Sequence, residues 1–129
     1  MIYTTYFAKL KSLPKEIIPI SICGKAPAGY KGLEFKKLAP KYSFFKKWKE
    51  TGDNAFYIEN FLAQVLAKQN PDEIVEELYA LAYSTAEPSQ VIKDIALVCY
   101  EKPTDFCHRH LVSAWLFNAG WASEEYKEN

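Results

Sequence analysis

The sequence predicts an α/β fold of Rossmann-like layers: a mostly parallel sheet flanked by helices, in a single compact domain over residues 1–129. Three observations carry this expectation. Residues 95–99 are continuously apolar, the pattern of a parallel strand covered on both faces. Residues 2–7 are rich in β-branched and aromatic side chains, as strands are. Between these runs lie two stretches of helical periodicity, and strands that alternate with helices build layered parallel sheets.

Taken in order, residues 2–7 form the first strand and residues 8–16 leave room for little more than a turn of helix. Residues 17–22 form a second short strand that ends at Gly24, with Pro19 near its beginning, where a strand tolerates proline. Residues 24–52 carry Pro27, Gly29, Gly32 and Pro40 and read as loops around one short helix at residues 43–48. Ordered connections of this length in compact domains are often functional. Residues 54–67 place Phe56, Tyr57, Phe61, Val65 and Leu66 on one side of a helix. The next helix opens with Pro71, Asp72 and Glu73, which suit the first turn and its dipole, and runs to Tyr83. After the strand at 95–99, a last helix is expected to be N-capped by Asp105 or Thr104 and to stop at Gly120.

Composition narrows the function classes. An apolar share of 49% with 25% charged residues is ordinary for a globular chain and argues against disorder. No apolar run approaches the roughly 20 residues of a membrane span, and the first residues lack the pattern of a signal peptide. Three cysteines, Cys23, Cys99 and Cys107, do not suggest a secreted disulfide framework, so a cytoplasmic protein is expected. Formal net charge is zero but unevenly spread: residues 25–49 hold eight lysines and one acid, whereas residues 53–129 hold thirteen acids and five bases. Interleaved with those lysines are Tyr30, Phe35, Tyr42, Phe44, Phe45 and Trp48, a mixture that single-stranded nucleic-acid binders use. Core aromatics beneath a lysine-solvated surface give the same pattern.

The chemistry concentrates where the strand at 95–99 runs into the last helix. Cys99, Glu101, Cys107, His108, Arg109 and His110 all fall there, at the carboxyl end of a strand, where open parallel sheets bind ligands. Free N–H groups and the dipole at the helix start attract anions and lower a thiol pKa, which makes Cys107 a candidate nucleophile. Equally, its spacing with Leu111, Ala114 and Trp115 fits a small buried residue. His108 is a candidate acid/base, and Glu101 is a candidate to orient it or to pair with Arg109. Arg109 offers a planar fork for a carboxylate or phosphate, with a salt bridge to Asp105 or Glu101 as the internal alternative. Cys99 reads as core, and His110 as a packing or surface residue. Lys25, Tyr30, Ser21 and Tyr100 are expected to complete a concave substrate site. The cysteine and histidine spacing lacks the paired arrangement of zinc sites, so no metal and no cofactor is expected.

The string Cys99-Tyr-Glu-Lys through Cys107-His-Arg109 resembles the signature of the bacterial and phage family called domain of unknown function 488. Ile18 to Ile22, then Pro27, Tyr30, Lys31 and Gly32, and then Leu38 to Pro40 resemble its N-terminal blocks. Cys23-Gly24-Lys25 departs from the expected small residue plus arginine after the second strand. The resemblance implies a compact α/β domain with Cys107, His108, Arg109 and Glu101 together, and no assigned reaction. Two functions follow as expectations. One is an enzyme acting on a small anionic, phosphate- or nucleotide-like substrate at the Cys-His-Arg helix start. The other is a noncatalytic nucleic-acid or partner-binding module that uses residues 25–49.

Overall fold

A computed structural model describes residues 1–128. Its sheet contains β1 (Ile2–Tyr6), β2 (Ile17–Ser21), β3 (Leu33–Glu34), β4 (Asp94–Cys99) and β5 (Ser123–Glu125), in the order β3-β2-β4-β1-β5. All of the pairings are parallel. β4 lies at the centre, paired through Ile2↔Ile95 to Tyr6↔Cys99 on one side and Ile17↔Asp94 to Ser21↔Val98 on the other. That position explains its unbroken apolar run, because residues 95–98 have no exposed surface. The predicted α/β class and layering are what the structure has.

Helices cover this sheet. A short 3-10 segment at Phe7–Ser12 occupies the link in which only a turn was expected. α1 (Tyr42–Thr51) is longer than the predicted 43–48 and is closed by Gly52, whose φ of 69° lies in the left-handed region that glycine enters without strain. α2 (Asn54–Phe61) is capped by the Asp53 carboxylate, which accepts from the Phe56 N–H at 3.1 Å, and continues into a π-helical turn at Leu62–Leu66. α3 (Pro71–Tyr83) has Asn70 as its cap, accepting from the N–H groups of Asp72 and Glu73. α4 is His108–Asn118. The core gathers Ile20 and Leu97 from the sheet with Phe61, Leu78, Val112 and Leu116 from the helices. Among the described residues, no helix is long and apolar enough to cross a membrane.

Three local expectations are corrected. β3 and β5 were not anticipated; at two and three residues they present too little pattern to read. The predicted helix at 54–67 is interrupted by the wider turn after Phe61. The cap of α4 is Cys107, in extended conformation at φ −153° and ψ 139°, and not Asp105 or Thr104. The shift has a packing cause. Asp105 donates its N–H to the Lys102 carbonyl within a turn, and Phe106 swings into the aromatic cluster with Trp48 and Tyr57 at 5.5 and 5.0 Å between ring centroids. The chain is therefore still extended when it passes Cys107.

Candidate active site

Parallel strands deliver their carboxyl ends to one rim, and the reactive side chains collect there. Cys99 is the last residue of β4, Cys23 lies just past β2, and Cys107 caps α4; the three buried thiols pack together against Phe7, which follows β1. His108, the first residue of α4, joins them. Its Nε2 lies 2.8 Å from the Ile22 carbonyl oxygen, and because a carbonyl only accepts, Nε2 carries the hydrogen. In the neutral ring Nδ1 is then the acceptor, and it lies 3.4 Å from the Cys99 sulfur. The ring is also wedged edge-on against Phe61. Cys99 Sγ, Cys107 Sγ and a His108 ring nitrogen all fall within 4.8 Å of one another, a set of soft donors able to hold a metal ion.

The electrostatics separate the thiols. Hydrogen bonding from Cys99 lowers the pKa of Cys107, helped by His108 and by the backbone N–H of Arg109, and these outweigh burial. Cys99 is pushed the other way, first by its hydrogen bond to Cys107, then by Cys23 and by burial, so it holds its proton. Cys23 is lowered by Cys99; its sulfur also lies 3.5 Å from the Ser21 hydroxyl and 3.8 Å from the Val98 carbonyl. The Glu101 carboxyl, half-buried, is raised by desolvation and by the proximity of Cys107.

These groups form the floor of a cavity of about 660 Å³. Phe45 and Trp48 from α1, Tyr57 from α2 and Phe106 form its aromatic wall, while Lys25, Lys49, Tyr42 and Tyr100 also line it. Of the residues expected to share a concave site, Cys107, His108, Glu101, Lys25 and Tyr100 line this cavity. Ser21, Tyr30 and Arg109 do not. Ser21 is fully buried behind Cys23, and Tyr30 donates to the Leu33 carbonyl at 2.8 Å and packs on Phe7. Tyr100 donates its hydroxyl to the Lys25 carbonyl.

Arg109 has no exposed surface and is committed within the protein. Its Nε and Nη2 donate to the two Glu125 carboxylate oxygens, each at 3.0 Å, and Nη1 donates to the Glu101 carbonyl at 2.6 Å. Thr4 adds a hydroxyl donor to Glu125 at 2.6 Å. Burial disfavours the guanidinium charge, but the Glu125 carboxylate and the Cys107 sulfur together more than offset this and raise its pKa. The internal partner is thus Glu125 from β5, not Asp105 or the Glu101 carboxylate. This fork ties the start of α4 to β5, to β1 and to the loop after β4. His110 is half-buried beside a separate shallow cleft, with its pKa lowered by burial and its Nε2 lacking a hydrogen-bond partner among the described residues.

Cys99 was read as core and is buried there, in a cluster with Cys23 and Cys107, but its contact with His108 was not anticipated. Its sulfur faces His108 and the cavity. Its place at the carboxyl end of a central parallel strand was the available signal. Of the aromatics between residues 25 and 49, Phe35 and Phe44 belong to the core, whereas Phe45 and Trp48 form cavity wall.

Fold and site together define a Rossmann-like α/β protein whose strand ends hold a thiol and imidazole cluster at the base of an aromatic cavity. Residues 3–120 match DUF488-N3a, described as the active DUF488-N3 subclade. The chain belongs to the DUF488 family. No curated protein matches it. No solved structure does so either.

Proposed function

We propose that the chain is an enzyme that uses the Cys107 thiol as a nucleophile on a small anionic substrate carrying a planar ring, as a nucleotide does. The observation that carries this reading is geometric: two sulfurs and a ring nitrogen converge at the floor of a cavity large enough for such a molecule. His108 takes the Cys107 proton at Nδ1, since its other nitrogen is engaged by the Ile22 carbonyl. Cys99 stays protonated beside both groups. Trp48, Phe45 and Phe106 offer faces for a ring, and Lys25 and Lys49 supply positive charge. Arg109 acts as a positioning residue, fixing the loop at Glu101 and the start of α4. The description of the matched family as an active subclade supports a chemical role.

The test is alkylation of the native, reduced protein at neutral pH with iodoacetamide, followed by peptide mapping. Cys107 should react before Cys23, and AMP, a ring-plus-phosphate probe, should slow the reaction. A Cys107 that reacts only after denaturant is added rules out nucleophilic catalysis at this position.

A noncatalytic nucleic-acid-binding reading draws support from a second groove, which shares Gly24 and Pro40 with the cavity and is lined by Lys36, Lys37, Lys41 and Lys68. Lys36 and Lys37 pair with Glu34 and Glu77; Lys41 and Lys68 have no ion-pair partner among the described residues. On this reading, affinity for a labelled single-stranded oligonucleotide falls steeply with added salt and survives Cys107→Ala.

A further inference from the structure

We propose that Cys99 Sγ, Cys107 Sγ and His108 Nδ1 form a three-ligand site for a thiophilic divalent cation, zinc above all, with the fourth coordination position facing the cavity. Tetrahedral zinc, with bonds of about 2.3 Å to sulfur and about 2.0 Å to nitrogen, sets its donors roughly 3.4–3.8 Å apart. Cys99 Sγ and His108 Nδ1 already stand at 3.4 Å, and the whole set lies within 4.8 Å, so closure asks only a small adjustment of Cys107. The outer contact is in place as well. Metal-bound histidines donate their second N–H to a carbonyl or carboxylate, which fixes the tautomer, and His108 donates Nε2–H to Ile22.

Charge favours the same arrangement. On binding, the two thiols release their protons to solvent and the neutral imidazole contributes a lone pair. Two thiolates then cancel the dication, leaving a neutral centre where an unpaired charge would be costly to bury. Cys23 stays outside the set, with its sulfur turned to Ser21 and Val98. Spacing in the sequence argued against metal because Cys99 lies in a strand and lacks a paired cysteine. The fold supplies the pairing by running β4 directly against the start of α4.

The binding site stands on geometry alone. Its consequence rests on the nucleophile reading: an ion on Cys107 caps the sulfur that would attack, so metal-loaded protein is the silenced form. The experiment uses the whole chain, reduced and stripped with chelator, titrated with cobalt(II) and then with zinc against a chromophoric chelator. One equivalent of cobalt should bind with thiolate charge-transfer absorption and tetrahedral ligand-field bands, and zinc should displace it. Cys107→Ser and His108→Gln, checked for native circular dichroism, should each lose that spectrum, while Cys23→Ser should keep it. Absence of charge-transfer bands in the reduced wild-type protein overturns the proposal, as does an unchanged spectrum in folded Cys107→Ser. Loss in Cys23→Ser overturns the open fourth position. Iodoacetamide labelling with and without zinc separates the two readings. Rapid labelling of Cys107 unaffected by zinc defeats the metal site and leaves the nucleophile. One-equivalent zinc binding to a protein whose metal-free Cys107 is inert keeps the site and defeats the nucleophile.

Discussion

Removing the Glu125 carboxylate leaves the Arg109 guanidinium buried without its counter-charge, since no part of Arg109 reaches solvent. Breaking a buried pair in this way costs about 3–5 kcal/mol. Glu125→Ala should therefore lower the urea midpoint sharply, whereas substituting both partners by apolar residues of similar volume should cost much less. An exposed pair such as Lys9 with Glu128 contributes little by comparison. At this scale the sequence was partly legible. It located Cys107, His108 and Glu101 in one neighbourhood, because local chain connectivity holds them together. It could not show that His108 meets Ile22, a partner 86 residues away, or that Arg109 meets Glu125, because such pairings exist only once the sheet has formed. Cys99 was legible as core, but an unbroken apolar strand does not reveal that its last residue also borders a cavity.

At the scale of elements, α3 is joined to the segment before β4 by Tyr79, whose hydroxyl donates to the Lys93 carbonyl at 2.7 Å. Burial raises the Tyr79 pKa above its ordinary value near 10.0, with Asp94 adding to the effect. The folded state thus keeps a proton that the unfolded chain releases first. Stability from this group is complete below the unfolded pKa and is lost as pH rises toward the folded one. Tyr79→Phe should cost about 1 kcal/mol near neutral pH through the lost hydrogen bond and should flatten the alkaline decline in stability. Equilibrium unfolding of both proteins between about pH 8 and about pH 12, roughly two units either side of that ordinary value, measures the difference. Helices with strong local signals were readable: Pro71 with its two acids opens α3, and the apolar stripe after residue 54 marks α2. The cap of α4 was not, because Asp105 carries a good local signal that the burial of Phe106 overrides.

For the molecule as a whole, the class was legible because β4 must be apolar on both faces if helices cover it, and that requirement is written in consecutive residues. Strand order was not, since nothing local says that β4 enters between β1 and β2. Leu97 sits at this centre with no exposed surface and neighbours Thr4 and Ile20 in register. Leu97→Ala should cost about 2–5 kcal/mol and shift the unfolding midpoint seen by fluorescence and by circular dichroism together. A probe-dependent midpoint would contradict one cooperative sheet.

The central position of β4 has a consequence for biosynthesis. β1 and β2 leave the ribosome long before residue 94 is made, and each pairs with β4 and not with the other. Until then β1 has no strand to pair with and β2 only the two-residue β3, so both wait exposed to chance association while translation proceeds. A nascent chain of this protein should therefore lean on chaperones up to the moment its middle ribbon emerges.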